Sequence, residues 1–191
     1  MLEPYGLALV TPPAEEPLSL VEVKSWLRVE HNADDIDISA LVVAARGLVE
    51  EFLGRQLVSA TWRLTAGWFP DFEIRLPKPP LLSIASIQYL DTAGVLQTLD
   101  DETYDVDAAA DPGVVMPASG YSWPATRTHP QSVRITYQAG YGTAASVPEG
   151  IKTAIKLLIA NWYQRRGDGE DRGLPMSVEL LLLSYWSGRY A

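Results

Sequence analysis

Residues 132–166 read SVRITYQAGYGTAASVPEGIKTAIKLLIANWYQRR. Apolar and polar side chains alternate from Val133 to Tyr137, which is the period of a half-buried strand. Gly140 and Gly142 follow this alternating run, and glycine tolerates backbone angles that other residues avoid. The sequence therefore predicts a strand that ends in a glycine-rich turn.

A long amphipathic helix is predicted directly after this turn. Pro148 suits the first turn of a helix, where its missing N–H group would have no intrahelical partner in any case. Lys152 and Lys156 are expected on the polar face, and Arg165 and Arg166 lie in the last turn, where positive charge suits the helix dipole. The apolar stripe consists of Ile151, Ala154, Ile155, Leu158, Ile159 and Trp162.

The residues before this stretch divide into three segments. Residues 1–17 contain four prolines and are predicted to be an irregular N-terminal arm. Residues 18–59 are predicted to be helical, because Ser19 and Glu22 form a capping-box pattern ahead of apolar residues at helical spacing. Residues 60–141 switch to short alternating runs punctuated by proline and glycine, which predicts an inserted antiparallel β subdomain.

Residues 142–191 return to helical periodicity and complete the helical core. A last short helix from Pro175 to Tyr185 carries apolar residues almost all round. Such a helix must bury much of its surface, either in its own core or against a partner. The predicted fold class is α+β, a helical bundle with an inserted antiparallel β subdomain and a C-terminal helix.

Composition narrows the classes of function. The chain has 191 residues, no cysteine, two histidines and a formal net charge of −9. The lack of cysteine excludes disulfides and thiolate metal sites, and we expect neither a metal nor a cofactor. No apolar run approaches the roughly 20 residues of a transmembrane helix, and the N-terminus lacks secretory-signal character, so we expect a cytoplasmic product without membrane contact. An acidic chain lacks the clustered cations that wrap nucleic acid, although DNA would slide past it without sticking.

The sequence shows no pattern typical of an enzyme. Gly140-Tyr141-Gly142 has the start of a dinucleotide-binding turn, but the third glycine and a preceding βαβ unit are missing. A P-loop lysine pattern and a nucleophile elbow are also missing. Neither His31 nor His129 has an evident nucleophile partner nearby in sequence. We therefore expect no catalytic activity.

Several motifs together resemble one known family. They are Y-Q-A-G-Y-G at residues 137–142, V-P-E-x-I-K-x-A-I at 147–155 and N-W-Y-Q-R-R at 161–166. P-L-S-L-x-E-V-K-x-W-L-R-V at 17–29 and L-P-K-P-P-L-x-S-I-x-S-I-x-Y-L-D at 76–91 precede them. In order and spacing this set resembles the head–tail connector (adaptor) proteins of long-tailed bacteriophages, prophages and gene transfer agents.

The resemblance implies a structural role in virion assembly. It implies a homo-oligomeric ring, commonly of twelve subunits, beneath the portal protein of a filled capsid. Such a ring extends the channel through which genomic DNA passes without sequence-specific binding. It also gives a tail-side stopper or tail terminator protein a surface on which to dock. The expected location is the head–tail junction of the virion, after synthesis in the cytoplasm of the host bacterium.

The resemblance further implies that the C-terminal segment, residues 168–191, docks on the portal. Its apolar content and its charged lead-in agree with that role. We expect a mobile tail that becomes ordered on portal binding, which would delay ring formation until the site exists. The predicted interface consists of Leu174, Met176, Val178, Leu181, Leu182, Tyr185, Trp186 and Arg189.

Two charged clusters have open interpretations. The basic cluster of Arg165, Arg166 and Arg172 either caps the long helix and is solvated, or contacts an acidic partner or DNA phosphate. The acidic run lacks the spacing of a calcium loop, so it is either a solvated loop or a surface that faces the channel. This run consists of Asp100, Asp101, Glu102, Asp105 and Asp107.

Two other functions remain as alternatives. The first is a non-catalytic small-ligand or peptide-binding module, in which the β subdomain supplies a pocket lined by Trp68, Tyr89 and Trp123. The second is a DNA-binding packaging factor, which the negative charge disfavours.

Overall fold

The structure, a computed structural model, describes residues 5–165 and 174–186. Over these residues it contains four α-helices and eight strands. The predicted α+β class, with an antiparallel β subdomain inserted among helices and a C-terminal helix, is confirmed. The described residues belong to two compact units, Met1–Pro13 with Ser59–Gly140 and Ala14–Val58 with Tyr141–Ala191. We call the first the β unit and the second the helical unit.

The helical unit contains all four α-helices of the described residues. They are α1 (Leu20–Leu27), α2 (Asp35–Leu53), α3 (Glu149–Arg165) and α4 (Met176–Leu182). Short 3-10 turns at Ala144–Ser146 and Leu183–Tyr185 precede α3 and follow α4. The predicted capping box is present, because Ser19 Oγ accepts from the Glu22 N–H and the Ser19 N–H donates to the Glu22 carboxylate. Gly54 ends α2 in the left-handed region, with φ of 67°.

The helical core lies where α2 and α3 pack together, with α1 beside both and α4 against α3. Because α2 and α3 each turn one apolar stripe inward, burial along them follows the helical period. The predicted stripe of α3 is confirmed from Ile151 to Ile159, and Trp162 is partly buried beside it. The fully buried α2 residues are Ile38, Ala45, Val49 and Leu53.

Lys152 departs from the predicted helix faces. The helical pattern puts this lysine on the polar face, yet the residue is only 7% exposed. Its Nζ lies 3.3 Å from Glu149 Oε1, a carboxylate that is itself largely exposed. A long aliphatic stem can be covered while the ammonium group keeps a charged partner near the surface. Burial of the stem therefore does not leave this charge unpaired.

The β unit consists of two antiparallel sheets. The first has five strands in the order β1-β2-β8-β4-β5, and the second has three in the order β3-β7-β6. The central β8 is the strand predicted from the alternation after Ser132, and Val133, Ile135 and Tyr137 are fully buried. The strands are β1 (Tyr5–Thr11), β2 (Ala60–Ala66), β3 (Ile74–Arg75), β4 (Leu81–Leu90), β5 (Leu96–Thr98), β6 (Tyr104–Asp107), β7 (Val114–Pro117) and β8 (Val133–Ala139).

The prediction of an irregular arm over residues 1–17 is wrong for residues 5–11. These residues form β1, which pairs antiparallel with β2, from Tyr5 opposite Ala66 to Thr11 opposite Thr61. The prolines that suggested an irregular arm flank this strand, and none lies between residues 5 and 11. Since the residues of β2 that pair with β1 lie fifty or more positions further along the chain, the hydrogen bonds that form β1 leave no local pattern.

Candidate functional site

The C-terminal helix α4 is fixed to its own helical unit at three points. Val178 and Leu182 are fully buried in the core against α3. The ring of Tyr185 lies over Gly150 so closely that an added Cβ atom there would meet Tyr185 Oη at 2.7 Å. Arg55 Nε donates a hydrogen bond to the backbone carbonyl of Tyr185. The end of the described chain is therefore held by packing and by a charge-assisted hydrogen bond.

The opposite side of α4 carries large apolar side chains that face solvent. Met176 is 76% exposed, Leu180 64%, Leu183 55% and Trp186 50%, while Leu181 at 37% lies at the edge. We call these five residues the C-terminal apolar face. Clustered exposure of large apolar side chains is unusual on a monomer surface and is typical of interaction sites. The arrangement is an apolar surface on a helix whose other side is packed into the core.

The eight residues predicted to contact the portal lie in different environments in the structure. Val178 and Leu182 belong to the core, and Leu174 and Tyr185 are partly buried against it. Met176, Leu181 and Trp186 lie on the C-terminal apolar face, and Arg189 lies outside the described residues. Leu180 and Leu183 were not in the predicted set, because a search for one helical stripe selects the side that a helix buries in its own core.

A buried polar network supports the loop that carries Arg55. Glu50 is 9% exposed, and its Oε1 accepts hydrogen bonds from Gln56 Nε2 at 2.7 Å and from the Leu57 N–H at 3.0 Å. Its Oε2 accepts from Arg46 Nη1 at 2.9 Å, and Arg46 Nε donates to Glu16 at 2.7 Å. Burial alone would lower the pKa of Arg46, but its hydrogen bond to Glu16 and the nearby Glu50 charge outweigh burial and raise it.

The predicted basic cluster is placed only in part. Arg165 is the last residue of α3 and is exposed. Arg166 and Arg172 lie outside the described residues. Whether the three guanidinium groups act together stays a prediction.

The acidic run serves local structure in the β unit. Asp100 begins a 3-10 turn by accepting from the Glu102 N–H at 3.1 Å, and Asp107 Oδ1 accepts from two following N–H groups. Asp101 accepts a hydrogen bond from the Tyr104 hydroxyl at 2.7 Å. Burial, with this hydrogen bond added, raises the pKa of Tyr104 to about 12. Across the described residues no cluster of three or more acidic or histidine side chains could hold a metal ion.

The β unit also contains an aromatic cleft of about 670 Å³. Its main lining residues are Trp68, Phe69, Phe72, Met116, Tyr121 and Trp123. Phe69 stacks on Trp123 with ring centroids 4.8 Å apart, and the Trp123 indole N–H donates to the Phe72 carbonyl at 2.7 Å. Two of the three predicted pocket residues therefore line the cleft. The third, Tyr89, lies behind it, with its ring edge-on to Phe69 at 5.9 Å.

Fold and surfaces together define a class of protein, an α+β interaction protein with an exposed apolar helix face. No helix in the described part of the chain is long and apolar enough to cross a membrane. The family model for the head completion protein matches residues 16–174. The chain belongs to this family, and its role is structural, that of a head–tail connector. The resemblance inferred from the motifs is confirmed.

Solved structures show the same fold over nearly the whole chain. One is the neck of an empty gene transfer agent particle, computed with C6 symmetry, with a TM-score of 0.80 and 25% sequence identity. Another is the virion of a native gene transfer agent particle, with a TM-score of 0.79 and 25% identity. Each match covers 97% of this chain and 97% of the other. Among curated proteins none matches significantly.

Proposed function

We propose that this protein forms a ring beneath the portal of a filled capsid, joins the head to the tail and extends the DNA channel. The C-terminal apolar face is the observation that supports a contact with the portal. Its side chains are exposed, while the helix to which they belong is packed against the rest of the helical unit. A preorganised apolar surface needs little ordering when it binds, so more of its burial contributes to affinity. Met176, Leu180, Leu183 and Trp186 are the residues that we assign to the portal contact.

Membership in the family and the similarity to neck chains support the ring. The neck that matches at 25% identity was computed with sixfold symmetry, and a ring of twelve subunits is compatible with a sixfold axis. A cyclic ring requires two different complementary surfaces on each subunit. We propose twelve copies at the head–tail junction of a virion, with a stopper or tail terminator protein on the tail side.

The net charge of −9 supports passage of DNA without binding. Acidic surfaces repel phosphate, and a repelled duplex does not adhere to the wall of a channel. We propose that the acidic run around Asp105 contributes to such a wall. None of these roles requires catalysis.

Light scattering of the purified protein, alone and mixed with its cognate portal protein, tests the proposal. A ring of defined mass, formed alone or with the portal, is the expected result. Leu180→Glu combined with Leu183→Glu should abolish the portal complex, because two charges would enter an apolar contact.

A matched control uses exposed apolar residues elsewhere in the helical unit. Val21 and Ile36 are 77% and 85% exposed, so Val21→Glu with Ile36→Glu adds the same charge. This control variant should still bind the portal. A portal complex that survives Leu180→Glu/Leu183→Glu would exclude the C-terminal apolar face as the docking surface, and a monomer that ignores the portal would contradict the proposed function as a whole.

The aromatic cleft favours a second, compatible function, the binding of a peptide segment. A cleft of about 670 Å³ lies within the range of pockets that hold small ligands or short peptide segments.

A further inference from the structure

The aromatic cleft is built around side chains that hold one another in place. Phe69 is 8% exposed and forms the floor, between the stacked ring of Trp123 and the edge-on ring of Tyr89. The hydrogen bond from Trp123 to the Phe72 carbonyl fixes the loop that forms one wall. The floor therefore needs no rearrangement before a ligand can enter.

The walls of the cleft expose aromatic surface. Trp68 is 58% exposed, Phe72 81% and Tyr121 55%. These three large aromatic side chains lie in one cleft, and each is more than half exposed, so they are not part of the hydrophobic core. They are available to a partner.

The charged lining residues of the cleft are both acidic. They are Asp71 and Glu73. Glu73 forms an ion pair with Arg75 at 2.8 Å, in which both side chains are well exposed. Asp71 has no ion pair and no side-chain hydrogen bond within the described residues, so its charge is available to a cation that enters the cleft.

Two other tryptophan rings of the described chain, Trp62 and Trp26, each have a lysine over them. Lys78 Nζ lies 5.7 Å from the ring centre of Trp62, and Lys156 Nζ lies 6.0 Å from that of Trp26. Within the described residues no such cation lies over Trp68. Aromatic faces beside a carboxylate form the environment that attracts a lysine ammonium or an arginine guanidinium group.

We propose that the aromatic cleft binds an extended segment of another virion protein, and that an arginine or lysine of that segment lies over the aromatic rings beside Asp71. Nucleic acid fits less well, because bases could stack on the rings but the phosphates would meet Asp71 and Glu73. The inference rests on the proposed function only for the source of the segment. It does not depend on the C-terminal apolar face.

Peptide titration of the full-length protein tests this site without the portal. The probes are acetyl-Ala-Pro-Arg-Pro-Ala-amide and the same peptide with glutamine in place of arginine, followed by NMR of the tryptophan indole N–H groups. We expect the arginine peptide to shift the signals of Trp68 and Trp123 and to bind about threefold to thirtyfold more tightly than the glutamine peptide. Asp71→Asn should remove much of that preference.

Matched tryptophan variants distinguish binding in the cleft from nonspecific binding to exposed aromatic side chains. Trp68→Ala should weaken binding of the arginine peptide at least about threefold, whereas Trp26→Ala, at a ring that is 47% exposed in the helical unit, should leave it unchanged. Equal affinity for the two peptides, or no binding of either at millimolar concentration, would overturn the proposal. Binding of an oligo-dT strand that Trp68→Ala abolishes would overturn it in favour of nucleic acid. The outcome of the peptide titration does not affect the portal experiment. Peptide binding in the aromatic cleft and portal binding by the C-terminal apolar face can therefore each be refuted without the other.

Discussion

Glu50→Ala should be among the most damaging single substitutions in the helical unit. The side chain is 9% exposed and accepts hydrogen bonds from Gln56, from the Leu57 N–H and from Arg46. Gln56 is 2% exposed and Leu57 is fully buried, so water cannot readily replace the lost carboxylate. The substitution therefore removes the acceptor of the buried Leu57 N–H, removes one partner of Gln56 and opens a cavity in the same step.

The expected loss can be estimated donor by donor. Loss of the acceptor of a buried donor costs about 1–3 kcal/mol, and Glu50 is an acceptor for both Gln56 Nε2 and the Leu57 N–H. Arg46 keeps its hydrogen bond to Glu16, so its contribution is smaller. We expect a loss of about 3–5 kcal/mol in the free energy of unfolding, the range for removal of one partner from a buried pair. Glu50→Gln keeps one acceptor oxygen and should cost about 1–2 kcal/mol.

Urea unfolding followed by far-ultraviolet circular dichroism measures this loss, because the helical unit contains the four described helices. Glu51→Ala is the matched control, since Glu51 is the next residue of α2 and is exposed. It should change the free energy of unfolding by less than about 0.5 kcal/mol. A loss of less than about 1 kcal/mol for Glu50→Ala, with an unchanged urea dependence, would refute the argument from unsatisfied donors.

Three further predictions concern local features. Ser19→Ala should cost about 1 kcal/mol by removing the helix cap. Hydrogen bonds from Ser19 lower the pKa of Glu22 below 4.5. The stability that they give to the folded state is therefore present above pH 4.5 and is lost as the pH falls through the folded-state pKa of Glu22. On acidification the Ser19→Ala variant should lose less stability than the wild type. The raised pKa of Tyr104, about 12 against 10.0, means that the stability contributed by its neutral hydroxyl is intact below pH 10 and is lost as the pH rises toward 12; the phenolate absorbance of the wild type should include a late-titrating component that Tyr104→Phe removes. Gly150→Ala should displace the Tyr185 ring and weaken portal binding, while the free energy of unfolding changes by about 1 kcal/mol or less, as urea unfolding and light scattering can check.

Features that depend on neighbours in sequence could be predicted well. The capping box of Ser19 and Glu22, the Gly54 end of α2 and the buried stripe of α3 each follow from residues within one or two helical turns. The alternation of apolar and polar residues was also sufficient to predict the strand β8, because its buried residues face one core. In all of these the local preference and the tertiary environment agree, as expected for a well-specified fold.

Features that depend on distant partners could not be predicted. The strand β1 exists because Tyr5–Thr11 pairs with β2, which is far along the chain. Lys152 is only 7% exposed although its helical position lies on the polar face, which a helical wheel does not reveal. The aromatic cleft was predicted in outline from Trp68 and Trp123, but the roles of Phe69 and Phe72 depend on a contact between loops some fifty residues apart.

The state of α4 before assembly has the largest consequence for the mechanism. The sequence suggested a mobile tail that orders on the portal, yet Val178 and Leu182 are buried in the chain's own core and Tyr185 is held by Arg55. A seven-residue helix is too short to persist in water alone, so these contacts are what maintain it. The structure therefore favours a docking surface that is formed before the portal is met. Hydrogen exchange of the free protein decides between the two: protection from Val178 to Tyr185 means a preformed surface, and rapid exchange there would restore the order-on-binding mechanism.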